Sequence, residues 1–195
     1  MKHKILLPTD FSKNAWQSIV YALELYKNNS CYFFILNVFS ATGNVFDSLI
    51  NMEPGSGLYE AAKFKSENDL AKVLDMIGLL DYKSPKHHFE VISKFNNPVE
   101  AIKNIVDEKD IEMIVMGTKG ETDSRTKVFG GVAIDVMEKV RNCPVIVVPE
   151  QAKHHMPKEI VFPTDFKTHF KQRELNYLIE LAKSSNASVK VLHVN

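Results

Sequence analysis

Apolar and polar positions along the chain fall into two kinds of run. KILLP (4–8), CYFFILNVF (31–39), IEMIVMG (111–117) and PVIVVP (144–149) have almost no polar interruption. They read as strands covered on both faces, since a one-sided strand would turn every second residue to water. HHFEVISK (87–94) is read as a further strand of the series. Between these blocks the apolar residues recur at three and four. Ser12 caps a helix over 13–27, with Trp16, Ile19, Val20, Leu23 and Tyr26 on one side, and NNS (28–30) ends it. A polar, glycine-bearing stretch (40–57) precedes a helix over 58–79, which places Leu58, Ala62, Leu70, Val73, Leu74 and Ile77 together, with Gly78 near its stop. Pro98 opens a helix to Asp107, and another spans about 130–141. Strand and helix alternate four times before a closing strand. That order predicts an α/β domain over 1–150: a five-stranded parallel sheet of Rossmann-like type, with helices on both faces and right-handed crossovers.

The chain then starts again. Polar residues 151–158 read as a linker, and EIVFPTDF (159–166) repeats KILLPTDF (4–11), with one extra residue aligning Glu24 with Glu180 and Val38 with Val194. Residues 159–195 are therefore expected to form a partial βαβ repeat, the start of a truncated second domain in a tandem arrangement. A lone βαβ needs cover for its strands from elsewhere.

Composition narrows the function classes. The 195 residues carry 24 basic and 24 acidic side chains, so no basic field points to nucleic acid. No apolar run approaches the roughly 18 residues of a membrane span, and MKHKILLPTDFS lacks a signal-peptide pattern. Cys31 and Cys143 sit in or beside apolar runs and are expected as buried free thiols of a cytoplasmic protein. His87–His88 and His154–His155 are adjacent pairs without a complementary ligand set, so no metal is expected. Met76, Met113, Met116 and Met137 are expected as core or pocket lining.

Four of the eight glycines crowd into MGTKGETDSRTKVFGG (116–131). Either this is a mobile loop ending in a helix cap, or its backbone must approach a phosphate. Ligands of open α/β sheets collect at the carboxyl ends of the strands. PTDFS, NVF and the glycine segment all leave the sheet there. Glycine beside a helix start exposes N–H groups with partial positive charge. Lys119, Arg125 and Lys127 outnumber Glu121 and Asp123 in the segment. Asp10 has two readings, as a ligand of the site or as a helix-entry residue, and Asp165 repeats it in the second copy.

The spacing Gly117-x2-Gly120-x9-Gly130, with PTDFS, NVF and CPVIVVP around it, resembles the nucleotide-binding signature of the universal stress proteins. The resemblance covers 1–150 as a whole domain and 159–195 as the start of another. It implies a stress-response protein that binds ATP or AMP, with or without Mg²⁺, without an obligatory reaction, and that pairs into dimers through edge strand 144–149. Carried over by position, Pro8, Thr9 and Asp10 would line the adenine and ribose end, and Val38 would offer its backbone to the base. Met116 and Gly117 would flank the ribose and α-phosphate, while Lys119, Gly120, Gly130, Gly131 and Val132 would surround the phosphates. One position departs: the family has serine or threonine where this chain has Gly131. Thr118, Ser124 or Thr126 are the nearby hydroxyls. The chain has no GxxxxGK[ST], GxSxG or HExxH, so an enzyme is not expected. Two alternatives stand beside the binding reading: a nucleotide-independent dimerising module, and a very slow ATP hydrolase.

Overall fold

The structure is a computed structural model that describes residues 2–39, 53–80, 84–119, 129–153, 155–167 and 169–194. It divides into two compact units, 1–152 and 153–195. The first contains β1 (His3–Pro8), α1 (Lys13–Leu25), β2 (Cys31–Phe39), α2 (Gly57–Gly78), β3 (His87–Phe95), α3 (Pro98–Lys109), β4 (Met113–Gly117), α4 (Gly131–Lys139) and β5 (Val145–Val148). The sheet order is β3-β2-β1-β4-β5, and every pairing is parallel.

Strand alternation explains why the central strands lack polar positions. Ile5, Leu7, Phe33, Ile35, Met113 and Val115 turn to one face, where they pack with Ile19 and Leu23 of α1 and Leu70, Val73 and Ile77 of α2. Leu6, Phe34, Leu36, Ile114 and Met116 turn to the other, against Ile102 and Ile105 of α3 and Val136 of α4. Every second residue is thus buried on each side, and the period-two signal disappears.

Three expectations shift. Leu58 is exposed rather than part of the buried stripe of α2, where Ser66 is buried instead. Met76 and Met137 are 42% and 41% exposed; among the four methionines named, only Met113 and Met116 enter the core. Gly78 is the last residue of α2, but the helix closes through Leu79, whose N–H donates to Asp75 and Met76 carbonyls at a φ of −92°. No left-handed glycine is needed there.

Both cysteines are free and buried. Burial, and secondarily the charge of Glu112, pushes the Cys31 thiol up to about 12, so it stays protonated and unreactive. His87 and His88 point to opposite faces. His87 Nε2 lies 3.1 Å from the Tyr26 carbonyl, which fixes Nε2 as the protonated nitrogen. Burial holds the His87 pKa below its usual 6.5; the Tyr26 carbonyl opposes this and His88 adds to it. The unfolded chain therefore takes up this proton more readily than the folded one. Stability should be unaffected above about pH 6.5 and fall as pH drops below it, towards the folded pKa. Urea titrations between about pH 7 and 5 should show a flatter pH slope in His87→Gln than in the wild type. Equal slopes would remove His87 from the acid response.

The second unit contains β6 (Glu159–Thr164), α5 (Gln172–Ser185) and β7 (Ser188–His193), with β6 and β7 parallel. Its turn reproduces that of the first unit. Thr9 Oγ1 accepts the Phe11 N–H at 3.0 Å, and Thr164 Oγ1 accepts the Phe166 N–H at 3.0 Å. Asp10 Oδ1 accepts Ser12 N–H at 3.1 Å and Asp165 Oδ1 accepts Lys167 N–H at 2.9 Å. Phe11 and Phe166 have φ of 66° and 57°. A left-handed phenylalanine costs about 1–2 kcal/mol, and these side chain to backbone bonds offset it. The copies differ next: Ser12 caps α1 by accepting the Ala15 N–H, whereas Lys167 at that place cannot, and α5 begins later.

Candidate functional site

Strand order reverses direction between β1 and β4, because the chain leaves β1 towards β2 on one side and returns to β4 on the other. The crossovers on either side diverge above their carboxyl ends and leave a crevice. A cavity of about 360 Å³ opens there, bounded by Pro8, Thr9 and Asp10 after β1, Leu36 and Val38 of β2, and Met116 to Lys119 after β4. Pro98 and Ile102 of α3 and Gly131, Val132 and Ala133 of α4 complete the lining. That size falls within the range of small-molecule sites.

Nine of the eleven residues expected at a site are brought together in this one wall: Pro8, Thr9, Asp10, Val38, Met116, Gly117, Lys119, Gly131 and Val132. Gly120 lies outside the described residues, as do Glu121, Asp123, Ser124, Arg125, Thr126 and Lys127. Gly130 does not line the cavity; it is buried, and its N–H donates to the Thr118 carbonyl at 2.6 Å. Thr118, noted only as a spare hydroxyl, has its Oγ1 committed to Asn14 at 3.1 Å.

The helix ends facing this region differ. Ser12, Ser56 and Asn97 each cap their helix with a side-chain oxygen. At α4 the capping position is Gly130, and no side chain accepts a hydrogen bond there. The first turn of α4, at the positive end of the helix dipole, therefore borders the cavity at Gly131, Val132 and Ala133, and among the described residues no side chain caps it. Beneath them the wall is apolar. One end of the crevice suits an anion and the other a flat ring.

The turn carrying Thr9 and Asp10 is fixed from below. Asn37 Nδ2 donates to the Thr9 carbonyl at 2.7 Å, Ser66 Oγ donates to Asn37 Oδ1 at 2.7 Å, and Ser66 and Ser93 hydroxyls are 2.7 Å apart. This buried network ties β1, β2, α2 and β3 together, and Thr9 N–H adds a bond to the Leu36 carbonyl at 2.8 Å. Asp10 serves the turn with one carboxylate oxygen and also borders the cavity. Among the described residues no group of three metal-ligating side chains occurs. No helix among them is long and apolar enough to cross a membrane.

A profile of the universal stress protein family matches residues 1–149. The chain belongs to that family. Solved universal stress proteins share its fold. One is UspA from Lactobacillus plantarum, 19% identical with a TM-score of 0.59, covering 75% of this chain and 97% of its own. Another, from Archaeoglobus fulgidus, is 21% identical with a TM-score of 0.67, covering 98% of this chain and 67% of its own. A third, solved in complex with cAMP, is 14% identical with a TM-score of 0.54, covering 75% of this chain and 96% of its own. No curated protein matches the chain. The crevice of this universal stress protein thus lies at the strand-order reversal of the shared sheet.

One residue central to the crevice escapes sequence reasoning. Asn14, on the first turn of α1, is 4% exposed, and its amide reaches both β4 and β5. In sequence it is one polar residue just inside a helix start. Its partners lie more than a hundred residues away, so no local pattern marks it.

Proposed function

We propose that residues 1–150 form an adenine-nucleotide-binding module that acts by occupancy rather than turnover. The observation that carries this reading is the start of α4, without a side-chain cap, opening on the cavity. A phosphate accepts the N–H groups of the first turn, and Lys119 on the opposite lip adds a positive charge. Val38, Leu36 and Ile102 suit the faces of a purine, while Asp10 stands where it can accept a ribose or adenine proton. The site residues are those carried over in the sequence, Gly120 among them, and the ligand is ATP or AMP, with Mg²⁺ entering on the phosphates. The related universal stress protein solved with cAMP supports an adenine nucleotide as the class.

β5 ends the sheet order, and Ile134 and Met137 of α4 are exposed beside it. We therefore place a dimer contact on strand 144–149. Residues 159–195 are proposed as the opening βαβ of a second domain in a tandem, regulatory, cytoplasmic protein. A second reading, a dimerising module without nucleotide, is favoured by one observation, the missing hydroxyl at Gly131.

The test is calorimetric titration of the purified, nucleotide-free chain with ATP and Mg²⁺ and with AMP, with sedimentation run alongside. Binding at micromolar concentration, lost when Val38→Trp fills the crevice, and a dimer at tens of micromolar are the expected results. No heat up to millimolar nucleotide in a folded chain would replace this reading with the interaction module. Phosphate release well above a no-protein blank would make the site a slow hydrolase.

A further inference from the structure

Asn14 is the second residue of α1, and an asparagine amide tends to compete for nearby backbone groups. Burying that amide also has a cost unless all its groups are satisfied. Here both the nitrogen and the oxygen have partners, from distant parts of the chain. Nδ2 donates to the Val148 carbonyl at 3.0 Å, while Oδ1 accepts Thr118 Oγ1 at 3.1 Å and the Lys119 N–H at 3.0 Å. The Val148 carbonyl also accepts the Thr118 N–H at 3.1 Å, and the Thr118 carbonyl accepts the Gly130 N–H at 2.6 Å. Thr118 is therefore held at its N–H, its carbonyl and its hydroxyl, and the two limbs of the glycine segment are joined at their base.

Gly117 is the complement of this arrangement. A Cβ on Gly117 would lie 2.8 Å from both Cγ and Oδ1 of Asn14, closer than real contacts allow. The first glycine of the signature is thus required by a protein side chain, whatever it does towards a ligand. The Lys119 N–H is taken by Asn14 rather than offered to a ligand.

We propose that Asn14 is the positioning residue of the phosphate end: it fixes the exit of β4 at Thr118 and Lys119, beside the Gly130 cap of α4. Asn14 does not line the cavity and touches no ligand; it acts through Thr118 and Lys119. The inference rests on the nucleotide reading above. It separates from a merely structural role through the phosphate-dependent part of affinity, the ratio of ATP to adenosine binding. Loosening the base of the loop costs the phosphate contacts and leaves the purine wall intact.

Calorimetry with ATP and with adenosine on the whole chain tests it. In Asn14→Ala the ATP affinity should fall roughly tenfold, while adenosine affinity stays within about twofold. Gly117→Ala, whose Cβ presses on the Asn14 amide and lies 3.2 Å from the Asn14 backbone carbonyl carbon, should lower the same ratio. If Asn14→Ala does not fold, Gly117→Ala decides. A wild type that binds both ligands, with the ratio unchanged in a folded variant, overturns this inference alone. A wild type that binds neither overturns the nucleotide reading and this inference with it.

Discussion

Phe33→Ala should lower the unfolding free energy of the first unit by about 3–5 kcal/mol, the range for a fully buried phenylalanine in a well-packed core. Phe33 has 0% exposure and sits on β2, between β1 and β3. Its ring stacks on Phe89 at 5.5 Å between centroids and meets the His87 ring edge-on at 5.0 Å. Above it lie the apolar faces of α1 and α2. The neighbours come from four elements, each held by its own hydrogen bonds, so the site cannot close over the missing ring. Denaturant titration should show a lower midpoint with an unchanged slope. Tyr32→Ala is the control: that ring is 37% exposed, and the loss should stay well below the Phe33 value. Equal losses at the two positions would mean that the α1–α2 layer does not seal this face.

Legibility in the sequence followed the range of the physics. Strands buried on both faces were readable because burial alone sets their composition, as in Phe33, Phe34, Ile35 and Leu36. Helix starts were readable because a cap acts within three residues, as Ser12 does on Ala15. The meeting of PTDFS, Val38 and Met116–Gly117 followed from one topological rule about where strand ends diverge. What was not legible depended on distant partners. Asn14 acquires its role only from Val148, Thr118 and Lys119, and Asn37 only from Thr9 and Ser66. Likewise Leu58 lies on the first turn of α2, ahead of its buried residues, and Met76 lies between buried Val73 and Ile77 but turns off the face they share. Gly117 enters the sequence reading by its place in the glycine spacing, and the crowding by Asn14 that requires a glycine there is invisible in that spacing.

Gly131→Ser should tighten ATP binding by roughly ten- to a hundredfold. A hydrogen bond to a charged partner contributes about 1.5–3 kcal/mol, and each 1.4 kcal/mol is about tenfold in affinity. The position can take the side chain: Gly131 is exposed, lines the cavity, and a Cβ built there meets nothing within 4 Å. It is the first residue of α4, where a serine hydroxyl can join the N–H groups of that turn in facing an anion. The backbone donors are the same in both chains, so the gain isolates the added hydroxyl. Gly131→Ala separates the alternatives. Alanine restricts the unfolded chain and favours the helix as serine does, but adds no donor. Tighter ATP binding in serine and not in alanine assigns the effect to the hydroxyl. An equal gain in both variants would assign it to a stiffer start of α4. No gain in either, in a chain whose wild type binds ATP, would mean that the phosphates do not reach Gly131.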